Sequence, residues 1–183
     1  MPDEPITLLS LVRWSPLHLL IAATIAQRVW ELRRARRNEK RLLAKGAVEH
    51  GRDHYPAIVT LHTLWFAAMI AEIVILTRSI NPFWPAILLL WLLAQALRVW
   101  TLRTLGRRWT ARVLVLRNEK PVTTGPYRYL RHPNYLVVAA EILLLPLMFN
   151  CLITAVTFTV MNAILLGVRM RVEGRAWREV RGA

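Results

Sequence analysis

The sequence predicts an all-α, polytopic integral membrane protein with about five transmembrane helices, the last two forming a hairpin. Two observations carry this. Of the 183 residues, 55% are hydrophobic and the mean hydropathy is positive, more apolar sequence than a soluble domain this small can bury. The formal charge is nevertheless +14, and the charge is concentrated between the apolar runs. No internal repeat or low-complexity segment divides the chain, so residues 1–183 read as one domain.

The first apolar stretch runs from about Trp14 to Trp30, with Arg13 and Trp14 at one end and Gln27 and Arg28 at the other. Tryptophan at the ends of a span is the interfacial anchor pattern. The stretch follows an acidic start, Asp3 and Glu4, without a small-residue cleavage pattern, so it is expected to be a retained span. From Arg28 to Arg52 the chain carries nine Lys/Arg on good helix formers as far as Gly46. A helix lying along the membrane surface is expected there, its basic side chains meeting anionic head groups.

Pro56 to Thr77 is a second run, long enough for roughly 30 Å of hydrocarbon, and it contains His62 and Glu72. Asn81-Pro82 breaks the chain, and a third run goes from Phe83 to about Trp100, with Gln95 and Arg98 near its far end. A second basic loop follows, with nine Lys/Arg from Arg98 to Arg131. The fourth run, Asn134 to about Phe149, is short for a full crossing. It is expected either to kink at Pro146 or to form a tight hairpin with the fifth, Cys151 to Val168. The tail holds five more arginines.

With five spans and the N-terminus outside, the two basic loops and the tail share one side, leaving only Arg13 and Arg78 of the 25 Lys/Arg for the other. That is a positive-inside distribution. It makes the charge topological and excludes nucleic-acid binding. It places both loops and the C-terminus in the cytoplasm, most simply at a bacterial inner membrane. No obligatory protein partner is evident.

One cysteine, Cys151, rules out an intrachain disulfide, and no metal site is expected: His50, Asp53 and His54 read as solvated loop residues. Intramembrane ionisable side chains are functional candidates by default. Glu72, near the outer end of its span, is expected to reach water. His62 reads equally as a packing histidine or a site residue. Glu141 lies seven residues after Asn134, on the same helix face. An ion pair with Arg98 that fixes helix packing is the favoured reading of Glu141, and a general base the other.

The densest chemistry is in Gly125-Pro126-Tyr127-Arg128-Tyr129-Leu130-Arg131-His132-Pro133-Asn134-Tyr135. Thr123-Thr124-Gly125-Pro126 is turn chemistry, and Pro133 suits a first helical position because its missing N–H would be unpaired there. A helix N-terminus attracts a carboxylate or phosphate, Arg128, Arg131 and His132 add donors, and three tyrosines add flat surfaces. By themselves these residues describe either a pocket for an anionic, partly aromatic ligand or a lipid-anchoring loop.

The stretch Gly125-Pro126-Tyr127-Arg128-x-x-Arg131-His132-Pro133-x-Tyr135 resembles the signature of the isoprenylcysteine carboxyl methyltransferase family, integral membrane enzymes that use S-adenosylmethionine. Glu119-Lys120-Pro121-Val122-Thr123-Thr124 resembles the family's lead-in, and Arg169 with Glu173 its closing pattern. The likeness covers about Arg112 to Trp177. The segment from Gly46 to Pro56 resembles a bacterial branch, some of whose members methylate alkylpyrone or alkylresorcinol products of type III polyketide synthases. The resemblance implies a cofactor pocket of Glu119, Lys120, Pro121, Val122, Tyr127, His132, Pro133, Asn134, Tyr135 and Glu173. It also implies that Arg169 faces a lipophilic acceptor arriving from the membrane. The chain departs from the family in having Lys120-Pro121 near a usual histidine and Glu173-Gly174 where two glutamates are usual.

Overall fold

A computed structural model describes residues 17–117 and 119–182, so the expected anchors Arg13 and Trp14 lie outside the described residues. Five α-helices dominate: α1 His18–Ala44, α2 Tyr55–Ile75, α3 Trp84–Leu105, α4 Pro133–Met148 and α5 Leu152–Gly182. α2, α3 and α4 each begin with a proline in the first turn, where no intrahelical N–H is lost. α1 ends where Gly46 takes φ +86°, letting the Ala47 and Gly46 amides bond back to Leu42 and Leu43.

Three of the five, α2, α3 and α5, lie in helical stretches long and apolar enough to cross a membrane. α4 has 16 residues, about 24 Å at the α-helical rise, against roughly 30 Å of hydrocarbon. α1 is long enough at 27 residues, but its second half is charged. It continues as one helix from its apolar start through the basic segment. α4 and α5 are joined by Phe149-Asn150-Cys151 and contact one another, with Cys151 N–H donating to the Pro146 carbonyl at 3.0 Å.

Trp65, Met69 and Ile73 of α2 pack with Ile142, Leu145 and Met148 of α4 in the main core. Leu89, Leu92 and Leu93 of α3 and Val156, Val160 and Ile164 of α5 are exposed. Apolar side chains exposed in this number on helices of spanning length are the surface of a bundle solvated by lipid.

Glu72 differs from its expected place at the water boundary: it is buried. Its Oε2 accepts the Thr154 amide at 2.8 Å and the Thr154 hydroxyl at 2.7 Å, and Arg78 lies 3.1 Å from Oε1. A carboxylate there answers the unpaired amides and positive dipole at the start of α5. His62 places Nδ1 2.8 Å from the Ile58 carbonyl of its own helix.

The bundle also contains a largely buried charge cluster. α1 buries residues 21, 24, 31, 35, 38, 39 and 42, which fall on one face of the helix at helical spacing and carry Glu31 inward. Glu31 and Glu141 of α4 are paired with Arg28 of α1 and Arg98 of α3. Arg28 reaches Glu31 at 2.7 Å and Glu141 at 2.6 Å, Arg98 reaches Glu31 at 2.9 Å, and Arg98 also donates to Glu141. Gln27 links Glu31 to Gln95, which donates to Glu141. Two guanidiniums and two carboxylates cancel, the condition for keeping charges in a low dielectric.

The all-α expectation needs one addition. β1 (Val48–His50) and β2 (Val113–Val115) form an antiparallel ribbon with Glu49 opposite Leu114. Three-residue strands carry too little alternation to be read from sequence. Arg112 fastens the ribbon: its Nη1 lies 3.0 Å from Glu49 and its guanidinium 5.0 Å from the Tyr55 ring centre. Glu39 of α1 accepts the Ala111 and Arg112 amides. Val113 and Val115 pack on Ala176 of α5. The ribbon therefore ties the end of α1 and the start of α2 to the tail of α5.

Candidate functional site

A cavity of about 1100 Å³ opens at the basic end of the bundle. Three stretches of chain form its walls, two of them close together in the loop before α4 and the third in the second half of α5. Glu119, Lys120, Pro121 and Val122 line one, Tyr127, His132, Asn134 and Tyr135 the second, and Arg169 and Glu173 the third. Pro133 is buried beneath the second wall as the first residue of α4. Glu141 is not brought to the cavity. Its oxygens are held by Arg28, Arg98 and Gln95 inside the bundle.

The loop before α4 folds as it does because of Gly125. Its φ is +59°, and a Cβ there would run into the Thr104 side chain at the end of α3. A 3-10 turn over Gly125–Arg128 then swings Tyr127 into the cavity and Tyr129 to the outside, where it is exposed beside Trp100. Burial, and secondarily the Glu173 carboxylate, push the Tyr127 phenol up to about 12.

At the centre is a four-residue constellation. The Tyr135 hydroxyl donates to Glu173 Oε2 at 2.5 Å and accepts from Arg169 Nε at 3.1 Å. The Arg169 guanidinium lies 5.7 Å from the Tyr135 ring centre. On the other side the His132 ring stacks on Tyr135, centroids 5.1 Å apart and planes 13° apart, with Nδ1 4.0 Å from Glu173. Arg169 and Glu173, four residues apart on α5, thus face one pocket. Among the described residues, Asn134 contributes a buried side-chain oxygen with no hydrogen-bond partner, and α4 has no side-chain cap at its N-terminus. Pro133 has no N–H, and the Tyr135 and Leu136 amides donate to the His132 carbonyl, so this corner offers a free acceptor and one main-chain amide, that of Asn134.

Sequence reasoning missed Arg108 and Arg112 as site residues. Arg108 lies 3.2 Å from Glu119 and donates to the Lys120 carbonyl at 3.2 Å, bracing the first wall. Arg112 lines the cavity while anchoring the ribbon. Both stand in a loop whose net charge already had a topological explanation, so nothing local distinguished them from their neighbours.

The same region matches known proteins. Residues 86–179 match the model of the Isoprenylcysteine carboxyl methyltransferase (ICMT) family. The chain is 42% identical over 161 residues to an uncharacterized protein, YpbQ, of Bacillus subtilis (strain 168), covering 88% of this chain and 96% of that one. It is 26% identical over 161 residues to an uncharacterized protein of Haemophilus influenzae, covering 87% and 94%. No solved structure matches. The family match runs from the first turn of α3 to the tail of α5, taking in all three walls of the cavity, and the chain belongs to the ICMT family of membrane methyltransferases.

Proposed function

We propose that the protein transfers a methyl group from S-adenosylmethionine to an oxygen, a carboxylate or an acidic hydroxyl, of a lipophilic acceptor. The observation that carries this is the convergence of Glu119–Val122, Tyr127–Tyr135 and Arg169/Glu173 on one cavity. The cofactor, when bound, supplies an activated methyl on a sulfonium. The residues suit it: Asn134 Oδ1 and Glu173 can accept from its ammonium, the Asn134 amide at the α4 N-terminus can take its carboxylate, and Tyr127 presents a flat ring.

Arg169 is steadied through Nε by Tyr135, which leaves its outer nitrogens for an anionic acceptor oxygen. Holding that oxygen in line with the methyl is the main catalytic task, because a carboxylate or acidic enol is already ionised. For a less acidic hydroxyl, His132 beside Glu173 is placed to take the proton. Glu141 belongs to the largely buried cluster. The acceptor class that fits the Gly46–Pro56 resemblance is an alkylpyrone or alkylresorcinol. That segment contains β1, whose partner β2 lines the cavity. An acceptor amine would favour a carboxylate where Arg169 stands, which argues against phospholipid N-methylation. In the proposed topology the chain crosses a bacterial inner membrane five times with the basic end in the cytoplasm. The acceptor then enters from the membrane and the cofactor from water.

Calorimetry on detergent-purified protein is expected to give heat with S-adenosylmethionine, and silence at about 1 mM cofactor ends the enzyme reading. His132→Ala should weaken that binding, whereas Arg169→Ala should spare it and reduce transfer of labelled methyl to a panel of alkylpyrones, lipids and prenylcysteines. Loss of cofactor binding in a folded Arg169→Ala protein would overturn the assignment.

A further inference from the structure

The acids and bases around the cavity do not balance, and the imbalance is localised. Arg171, Arg175 and Arg178 occupy positions i, i+4 and i+7 of α5, one helix face at the cavity mouth. Lys120 and Arg131 stand on other walls of the same cavity. All five are exposed, and none has a carboxylate in ion-pair range among the described residues. The acids that line the cavity are engaged elsewhere: Glu119 with Arg108, and Glu173 with Tyr135 and His132. Glu179, the next acid along α5, turns to His50 at 3.6 Å.

A positive-inside bias explains the sign of these residues but not their gathering around one mouth. The tail of α5 is the negative end of that helix dipole, which helps hold arginines on it yet leaves their guanidinium groups without a counter-ion. The gathering also conflicts with the proposed cofactor. S-adenosylmethionine carries a sulfonium and an ammonium against one carboxylate, so an unneutralised ring of cations opposes its entry.

We propose that this rim is a phosphate-binding subsite for a phosphate monoester or diester, and that its occupant neutralises the mouth and so favours the cationic cofactor. The second half of the proposal rests on the cofactor reading above, whereas the first does not. Guanidinium forks suit phosphate oxygens, and side chains from α5 and from two loops give the group more than one direction of approach. The phosphate could come from a phospholipid head group or from a soluble phosphorylated molecule. By linkage, a phosphate that raises cofactor affinity is itself bound more tightly when the cofactor is present. The uncharged thioether of the product, S-adenosylhomocysteine, should gain less than the sulfonium.

The test uses the full chain in an uncharged detergent with inorganic pyrophosphate as probe, and dihexanoylphosphatidylglycerol as a second probe. Pyrophosphate should bind the native chain and bind R175Q/R178Q about tenfold more weakly, with R103Q unchanged, since Arg103 is exposed on α3 away from the cavity. Arg131→Gln, on another wall, serves as an independent variant should the double variant fail to fold. Saturating pyrophosphate should lower the apparent Kd for S-adenosylmethionine by about fivefold or more, and that for S-adenosylhomocysteine by less. Competition between the two probes assigns the site to a lipid head group; pyrophosphate binding without competition assigns it to a soluble phosphate. No pyrophosphate binding below about 10 mM, or equal loss in R103Q, overturns the subsite. Pyrophosphate binding as expected with no cofactor heat in its presence leaves the subsite standing and removes the methyltransferase reading. Cofactor affinity that ignores or falls with pyrophosphate overturns the neutralising role.

Discussion

The charge cluster inside the bundle and the constellation in the cavity are both built around arginine and glutamate, drawn from three helices in the first and one turn apart on α5 in the second, and they do opposite work. In the bundle, Arg98 is 2% exposed and Glu31 and Glu141 5%, and every carboxylate oxygen has a protein partner. In the cavity, His132 and Glu173 are about 30% exposed, Arg169 has a hydroxyl rather than a carboxylate, and Asn134 Oδ1 has no partner among the described residues. A carboxylate whose oxygens are all paired internally contributes to holding helices together. A group left partly unsatisfied at a water-accessible surface is available to a ligand. Sequence identity does not separate the two cases; the neighbours do.

The contrast can be broken most directly at its two glutamates. Glu141→Ala leaves Arg28 and Arg98 sharing one carboxylate in a largely buried site. It should cost about 3–5 kcal/mol, read as a large drop in the thermal midpoint in detergent. An unchanged midpoint would mean that water reaches the cluster. Glu173→Ala should do the reverse, leaving the midpoint nearly unmoved while weakening cofactor binding about tenfold or more, measured by calorimetry. If both variants lowered stability alike, the cavity constellation would be structural as well.

Smaller effects sharpen the picture. Glu72→Gln keeps the shape of the cap on α5 but removes its charge, and the expected loss is about 0.5–2 kcal/mol in the same unfolding measurement. Tyr135→Phe removes the hydroxyl that joins Arg169 to Glu173, worth about 1 kcal/mol. The loss should show as a lower kcat with little change in the midpoint, because Arg169 is no longer steadied. Arg34, stacked 5.8 Å from the exposed Trp30 ring on the outer face of α1, should tolerate alanine within about 0.5 kcal/mol.

Much of this was legible before any coordinates. Apolar runs of helical length become α2, α3, α4 and α5 because main-chain groups in lipid have few other ways to be satisfied. Arg169 and Glu173 were placeable on one face from their spacing alone. The Glu141–Arg98 pair was readable as two opposite charges in apolar runs. Its other members were not: Arg28 belonged to a basic loop by count, Glu31 to a surface helix, and Gln95 to no pattern. Only the rotation of α1 turns Glu31 inward. Glu72 was misplaced for a similar reason, since nothing near residue 72 announces that α5 will begin beside it.

The sequence by itself therefore determined that this is a mostly helical membrane protein, roughly where its apolar helices lie, and which short segments resemble the family's signature, but not that α1 is one helix from His18 to Ala44 or that α5 continues past Val168 to Gly182. These properties depend on periodicity and composition, which act over a few residues. The tertiary structure decided that residues 119–122, 127–135 and 169–173 surround one cavity. It also decided that Arg112 joins a ribbon to that cavity, and that one glutamate is sealed with two arginines while another is left open. Those outcomes depend on contacts between side chains tens of residues apart, where a few ångströms separate a paired charge from a free one.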